Sequence, residues 1–171
     1  MVSMISRTGR QLQRYNQGCR QVVGCIPYRY KFGINGDKEL EVLLISSQKG
    51  QKMLFPKGGW EIDESIKEAA ARETFEEAGV QGDVEFELGS WMFQSKRYGT
   101  LYEGFMFSLL VKEQLDFWPE RNVRTRRWMT VEEARDVCQY GWMKEALEEL
   151  VSLDLTSSKQ PERGVTHCSL S

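Results

Sequence analysis

The sequence predicts one α/β domain in which helices pack on a mixed β-sheet. Apolar, β-branched segments typical of strands precede a helix at residues 64–78, and two long strands, a short strand and two further helices follow it. Elements in this order pack as helices against the faces of a sheet, which is an α/β sandwich. A length of 171 residues is enough for one domain with a substantial core.

The composition excludes several classes of function. The formal net charge is −2, so no overall basic field favours DNA or an anionic membrane. No apolar run is long enough to cross a membrane as a helix. The four cysteines lack the C-x-x-C spacing of a zinc site. We therefore expect no DNA and no membrane as partners. Separately, we expect a small-molecule partner and a monomer in preference to an oligomer.

The first segment, residues 1–18, is an arm that is rich in arginine and free of acids. It contains Arg7, Arg10 and Arg14, and the first acidic residue is Asp37. This composition is typical of a mitochondrial transit segment, and it also suits an anion-binding surface. A cytoplasmic location, possibly also nuclear, is the first expectation, and a mitochondrial location is the alternative.

Strands then follow on both sides of the helix. Residues 20–30 and 41–46 are apolar enough for strands, with a turn at Asn35-Gly36-Asp37 between them. Residues 84–94 and 101–111 are expected to pair around a turn at residues 96–99. Residues 124–129 form a short last strand.

Two helices are predicted near the end of the chain. Thr130 and Glu133 have the spacing of a capping box that opens a helix reaching about residue 140. Apolar residues at helical spacing predict a last helix at residues 142–153. The polar residues 154–171, which include His167, are expected to form a disordered tail.

The helix at residues 64–78 carries the functional signal. Asp63 and Ser65 are candidate N-caps, and Gly79 is a natural C-terminal stop. Glu73, Glu76 and Glu77 share one face of it. No lysine stands at an i,i+4 position to pair with them, so these carboxylates repel one another.

A hard divalent cation is the simplest way to stabilise such a cluster, because Mg²⁺ and Mn²⁺ bind oxygen ligands. An ion held in this way suits a substrate that supplies phosphate oxygens, and a glutamate with a free oxygen could deprotonate the attacking water. Just upstream, Pro56-Lys57-Gly58-Gly59 forms a turn whose bare backbone a phosphate or a metal could approach.

These residues resemble the signature of a known family. Gly58, Glu64 and the run Arg72-Glu73-Thr74-Phe75-Glu76-Glu77-Ala78-Gly79-Val80 match the Nudix box at its spacing, with Thr74 where an aliphatic residue is usual. The resemblance implies a Nudix-type α/β/α sandwich with a mixed sheet, covering residues 19–153. It also implies Mg²⁺ or Mn²⁺ as the cofactor.

The resemblance implies a role for each residue of the box. Glu73 and Glu77 would be metal ligands, together with the backbone carbonyl of Lys57. Glu76 would be a ligand or the general base. Arg72 would orient the carboxylates, and Glu64 would brace the loop.

Other segments are similar to the diphosphoinositol polyphosphate phosphohydrolase branch, whose members also hydrolyse diadenosine polyphosphates. The similar segments are EVLLISS, the hairpin around residue 97 and RTRRWMTVEEARDVCQY. Two departures concern charge: Lys57 replaces a glycine of the animal members, and Gly141-Trp142 stands where they carry a phosphate-binding lysine. Positions that match substrate contacts in this branch are Arg20, Ser46, Ser47, Lys52, Lys96 and Arg97.

Cations elsewhere in the chain favour a polyphosphate substrate if the loops that carry them converge on the carboxylates. Lys57 and Arg124 are therefore added to the candidate phosphate-binding residues, and Gly58 and Gly59 are added for their bare backbone. The others in the group are Lys49, Arg121, Arg126 and Arg127.

The sequence thus predicts a Mg²⁺-dependent hydrolase of diphosphoinositol polyphosphates or diadenosine polyphosphates. One alternative is a pyrophosphatase for ADP-ribose or NADH, which aromatic side chains such as Tyr28, Tyr30, Phe32 or Trp91 would favour by stacking on a base. A second alternative is a module that binds a polyphosphate or an RNA end without hydrolysing it.

Overall fold

Helices lie on both faces of one mixed sheet in a computed structural model of the protein, which describes residues 4–9, 11–95 and 98–159, with only the backbone of 158 and 159. The strands are β1 Tyr15–Asn16, β2 Cys19–Phe32, β3 Lys38–Ser46, β4 Met53–Leu54, β5 Lys57–Gly59, β6 Val80–Gln94, β7 Leu101–Gln114 and β8 Arg126–Thr130. The helices are α1 Ile66–Ala78, α2 Val131–Val137 and α3 Gly141–Lys159.

The sheet follows the order β4-β3-β2-β7-β6, while β1 and β5 pair with β2 and β8 pairs with β3. β2 and β7 run parallel. The long β6 and β7 strands pair antiparallel, as the sequence predicts. The sheet is therefore mixed. The turn predicted at residues 56–59 is wrong over residues 57–59, which form the short strand β5 because their backbone pairs with the central strand β2.

Each face of the sheet carries its own apolar core, because successive side chains of a strand point to opposite faces. Val23 and Cys25 of β2 belong to the cluster that contains Ala69 and Ala70 of α1. Ile26 belongs to the cluster that contains the α3 residues Met143, Ala146, Leu147 and Leu150. The predicted α/β/α sandwich is confirmed.

Helix α1 begins after the candidate N-cap Ser65, two residues later than predicted, and ends before Gly79 as predicted. Ser65 accepts a hydrogen bond from the amide of Glu68, whose side chain accepts from the Ser65 amide in return, which is a capping box. Gly79 ends the helix with a φ of 67°, a conformation that a side chain disfavours. These caps fix where the carboxylate face begins and ends.

Most element boundaries lie within three residues of the prediction, and two differ by four residues or more. β6 begins at Val80, before the predicted residue 84. An added Cβ at Gly82 would meet the carbonyl oxygen of Leu110, so glycine at this position allows the strand to pair with β7 here. α3 continues to Lys159, so the tail predicted from residue 154 is wrong over residues 154–159. The helix continues because no glycine or proline lies between Gly141 and Pro161. Tyr30 also donates a hydrogen bond to Asp154 in this last part of α3. Residues 160–171 lie outside the described part.

No helix in the described part of the chain is both long and apolar enough to cross a membrane.

Candidate active site

The three glutamates of the signature lie together on the buried face of α1. Glu73, Glu76 and Glu77 are only 8%, 5% and 7% exposed. Burying carboxylates is costly unless cations or hydrogen-bond donors surround them. The structure supplies both.

Two arginines pair with these carboxylates. Arg72 donates from one nitrogen to Glu73 at 2.8 Å and to Glu76 at 3.3 Å. Arg124 donates to Glu77 at 3.1 Å and to Glu120 at 3.0 Å, and its side chain is only 9% exposed. Each buried charge thus has a partner of opposite charge.

Arg72 is itself held in place by the loop before the helix. Its other two nitrogens bind the two carboxylate oxygens of Glu64 at 2.7 and 3.0 Å, and one of them also donates to the carbonyl of Gly59 at 2.9 Å. A bidentate pair of this kind fixes the plane of the guanidinium. Glu64 therefore braces the loop and aims Arg72 at the carboxylates.

The strand β5 approaches the same carboxylates from the sheet. The amide of Lys57 donates to Glu77 at 3.0 Å. A Cβ on Gly58 would lie 2.1 Å from the carboxylate carbon of Glu73, so only glycine allows this approach. The predicted metal contact of the Lys57 carbonyl stays a prediction.

Burial and mutual repulsion raise the pKa values of the cluster. Burial, with the charge of Glu77, raises the pKa of Glu73 to about 8 despite the opposing effect of Arg72. Burial raises the pKa of Glu77 to about 7, although Arg124 and Lys57 oppose it. Burial also raises the pKa of Glu76, against a hydrogen bond from the Arg7 amide. Such shifts are typical of groups that share a functional site.

The donor set fits a hard divalent cation, because it consists of clustered carboxylate oxygens next to the glycine backbone of β5. Within the described ranges, however, no three His, Cys, Asp or Glu side chains converge closely enough to hold an ion as they stand. The reason is visible in the contacts: arginine nitrogens and backbone amides occupy the carboxylate oxygens. A bound ion would replace some of these donors.

The N-terminal arm contributes to this site, which the sequence did not predict. The amide of Arg7 donates to Oε1 of Glu76 at 3.0 Å, and its guanidinium pairs with Glu61 and Asp63. Glu76 thus has a donor on each oxygen, Arg7 on one and Arg72 on the other. The arginines of the arm at positions 7 and 14 face carboxylates and carbonyls, so their prediction as an anion-binding surface is wrong. Arg10 lies outside the described residues.

Glu120 is a second residue that the sequence analysis missed. Its carboxylate accepts hydrogen bonds from Arg124 and Ser6, and its amide donates to the carbonyl of Glu76. The only signal in the sequence is the i,i+4 spacing of Glu120 and Arg124, which is common in charged segments.

A cavity of about 740 Å³ opens beside β5. Four predicted substrate-binding residues line it: Arg20, Lys52, Lys57 and Gly58. Its other side is aromatic, with Phe93 stacked between Tyr102 at 5.1 Å and Trp142 at 4.8 Å between ring centroids. The cavity therefore combines cations with an apolar wall.

Other predicted substrate-binding residues do not line this cavity. Ser46 is buried and accepts a hydrogen bond from the Thr125 amide, while Ser47 accepts one from the Lys52 amide. Gly59 is buried beneath Gln13, and Arg124 faces the carboxylates. Lys96 and Arg97 lie outside the described residues, so their predicted contacts remain predictions.

The other basic residues before α2 do not converge on the carboxylates. Arg126 donates to the carbonyls of Ala78, Gly79 and Leu115. Arg121 lies over the ring of Phe117, and Arg127 pairs with Glu133. These side chains hold the ends of α1, β7 and α2.

The aromatic residues named for base stacking are placed elsewhere. Tyr28 and Tyr30 line a separate cavity with Phe86 and Leu153. Trp91 packs against Trp142 at 6.2 Å, and Phe32 is 68% exposed. The aromatic wall beside Lys57 is formed by side chains that the sequence analysis did not choose for this role.

Comparison with known proteins agrees with this arrangement. The family model of the NUDIX domain matches residues 27–150. The chain is 62% identical over 165 residues to Nudix hydrolase 18, mitochondrial, of Arabidopsis thaliana, covering 95% of this chain and 94% of that protein. It is 35% identical over 126 residues to diphosphoinositol polyphosphate phosphohydrolase 2 of Rattus norvegicus, covering 72% and 65% of the two chains.

Among solved structures, the C. elegans Ap4A hydrolase shares the fold, with a TM-score of 0.62 and 21% identity over 78% of this chain and 96% of that one. Nudix hydrolases act on pyrophosphate bonds and generally use divalent metal ions. The family model and the relatives, together with the geometry of the signature, show that the chain belongs to the Nudix hydrolase family.

Proposed function

We propose that the protein hydrolyses a phosphoanhydride bond of diphosphoinositol polyphosphates or diadenosine polyphosphates with Mg²⁺ or Mn²⁺ as cofactor. One observation carries the proposal: Lys57 and Gly58 line the cationic cavity and also touch the carboxylates of Glu77 and Glu73. A phosphate chain held by the cations of the cavity would therefore reach the carboxylate cluster. The similarity to the rat diphosphoinositol polyphosphate phosphohydrolase supports this substrate class.

The roles of the chain's own residues follow from their positions. Arg20, Lys52 and Lys57 bind the phosphates that are not attacked, because charge-assisted bonds to phosphate oxygens are strong. Glu76 accepts the proton of the attacking water, and the electron pair of the broken P–O bond stays on the leaving oxygen. Arg72 keeps the carboxylate of Glu76 oriented for this transfer.

Glu73, Glu77 and the carbonyl of Lys57 are the groups that would hold the cation. When bound, the cation neutralises phosphate charge and lowers the pKa of a bound water molecule. Its binding at these buried carboxylates would also offset the repulsion that raises the pKa values of Glu73 and Glu77.

The proposal is tested by incubating the protein with Mg²⁺ and, separately, a diphosphoinositol pentakisphosphate, diadenosine hexaphosphate and ADP-ribose, with products followed by phosphorus NMR. We expect faster turnover of the first two. ADP-ribose as the best substrate would mean that the pocket recognises the nucleotide. Binding without turnover of any of them would favour the binding module.

Two lysine variants sharpen this test. Lys52→Gln and Lys57→Gln each remove a cation from the cavity and should raise KM for the polyphosphates about tenfold, the effect of one charge-assisted hydrogen bond. Lys31→Gln is the matched control, because Lys31 is exposed at the far end of β2. Equal KM values for all three variants would contradict phosphate binding by the cavity.

We propose a mitochondrial location over a cytoplasmic or nuclear one, because the relative with 62% identity carries "mitochondrial" in its name. The expected monomeric state stays a prediction that sizing of the purified protein would check.

A further inference from the structure

Residues 12–14 of the arm form a strand-like edge on the loop that precedes α1. The amide of Arg14 donates to the carbonyl of Trp60 at 3.0 Å, and the amide of Ile62 donates to the carbonyl of Leu12 at 2.9 Å. Gln13 and Glu61 form an antiparallel bridge between these bonds. The backbone of the arm thus fixes the part of the signature that joins β5 to α1.

The side chain of Arg14 packs on the same loop. Its guanidinium carbon lies 4.1 Å from the centroid of the Trp60 ring, a cation–π contact. One terminal nitrogen approaches the carbonyls of Glu61 and Ile62 at 3.4 Å each. Its buried Nε has no hydrogen-bond partner among the described residues, so the stacked ring is its main contact. Arg14 therefore acts chiefly by holding Trp60.

Trp60 in turn holds Glu64 in place. The indole N–H of Trp60 donates to the carbonyl of Glu64 at 3.0 Å. The carboxylate of Glu64 accepts the amide of Glu61 at 3.0 Å and binds Arg72 through both oxygens. The position of Arg72 therefore depends on a loop that Arg14 covers.

Arg72 is the last link to the proposed metal ligands, since it binds both Glu73 and Glu76. We propose that Arg14 is a positioning residue for this centre: it acts through Trp60, Glu64 and Arg72, without contact with substrate. The inference rests on the proposed metal role of Glu73. This role gives the arm a function within the enzyme. Removal of residues 1–18 would abolish the function, whereas removal of residues 1–10 would preserve it.

A binding measurement tests this proposal independently of turnover. Mn²⁺ affinity is measured by electron paramagnetic resonance for the wild-type protein, Arg14→Ala and Arg29→Ala. Arg29 is the matched control, because its guanidinium lies at the same 4.1 Å over Trp128 and pairs in addition with Glu41. Arg29→Ala should therefore lower the unfolding temperature at least as much.

We expect Arg14→Ala to weaken Mn²⁺ binding about tenfold and Arg29→Ala to leave it unchanged. Equal Mn²⁺ affinity of the wild-type protein and Arg14→Ala would overturn the positioning role. So would an equal loss in both variants, which would reflect general destabilisation.

Arg14→Lys is the milder variant if Arg14→Ala does not fold, since lysine keeps the charge and loses the planar stacking group. A loss of Mn²⁺ affinity in a folded Arg14→Lys protein supports the proposal, and wild-type affinity contradicts it. Trp60→Phe keeps a ring beneath Arg14 and removes the bond to Glu64, so it should also weaken binding. If the wild-type protein binds no Mn²⁺, the proposed function fails and this inference fails with it, which differs from failure of Arg14 alone.

Discussion

The carboxylate of Glu73 lies directly against the backbone of Gly58, where a Cβ would come within 2.1 Å of its carboxyl carbon. The contact joins the strand β5 to the helix α1. It explains why glycine is needed at this position, because any side chain would displace the carboxylate of Glu73.

Gly58→Ala should therefore weaken Mn²⁺ binding and lower kcat/KM more than a hundredfold, because the new methyl group displaces Glu73. Overpacking of this kind also costs about 1–3 kcal/mol of stability. Gly33→Ala is the control, since its Cβ would meet only ordinary contacts at 3.7 Å. Calorimetric metal titration checks the prediction, and unchanged metal affinity in a folded Gly58→Ala protein would contradict it.

The metal-free protein should lose stability as the pH rises from about 5 to 8. Glu73 and Glu77 have pKa values of about 8 and about 7 when folded, against 4.5 as the ordinary value. Between these limits the folded chain binds more protons than the unfolded chain, so the free energy of unfolding decreases with pH. Denaturant titrations in the presence of a chelator measure this trend.

Glu73→Gln is the control for this pH effect, since the amide does not titrate and the dependence on pH should shrink. Saturating Mg²⁺ should remove the loss in the wild-type protein, because the ion binds the deprotonated carboxylates. If the free energy of unfolding of the metal-free protein instead rises with pH over this interval, the pKa values of these carboxylates are not raised in the folded state.

The amide of Arg7 should compete with metal for Glu76. Arg7→Pro and Arg7→Ala both remove the guanidinium, and only the proline variant removes the N–H that binds Oε1 of Glu76. Because a net hydrogen bond contributes about 0.5–1.5 kcal/mol, Arg7→Pro should bind Mn²⁺ about 2–10 times more tightly than Arg7→Ala. Equal Mn²⁺ affinities of these two proteins would mean that the arm does not restrain Glu76.

Arg124→Gln should mainly lower the free energy of unfolding. Its pair with Glu77 is buried, with both side chains 9% exposed, and loss of one partner leaves an uncompensated carboxylate. Breaking such a pair costs about 3–5 kcal/mol, which denaturant unfolding would measure. Arg135→Gln, at an exposed pair with Glu148, should change stability little. If both variants unfold alike, the buried pair does not stabilise the helix.

The parts of the fold that the sequence predicted depend on local signals. The capping box at Ser65 and the stop at Gly79 define α1, and the i,i+3 and i,i+4 spacing places Glu73, Glu76 and Glu77 on one face. Apolar runs likewise located β2 and β3. Such features are encoded within a few residues of the element that they form.

The parts that the sequence missed depend on distant contacts. Arg7 meets Glu61 and Asp63 across more than fifty positions of sequence, and no local pattern in the arm indicates this. Arg124 was a candidate phosphate-binding residue because of its charge, but the fold turns it toward Glu77. The sequence could therefore predict the carboxylate centre, while the groups that enclose it required the structure.

The central claim is that Glu76 is the base of a metal-dependent hydrolase, and the kcat of Glu76→Gln tests it most directly. Diadenosine hexaphosphate hydrolysis with saturating Mg²⁺ is compared for the wild-type protein, Glu76→Gln and Glu68→Gln. Glu68 is the control because it is exposed on the same helix, and glutamine preserves its capping role. We expect kcat to fall about 10²–10⁴-fold in Glu76→Gln alone. Full activity of a folded Glu76→Gln protein would contradict the account.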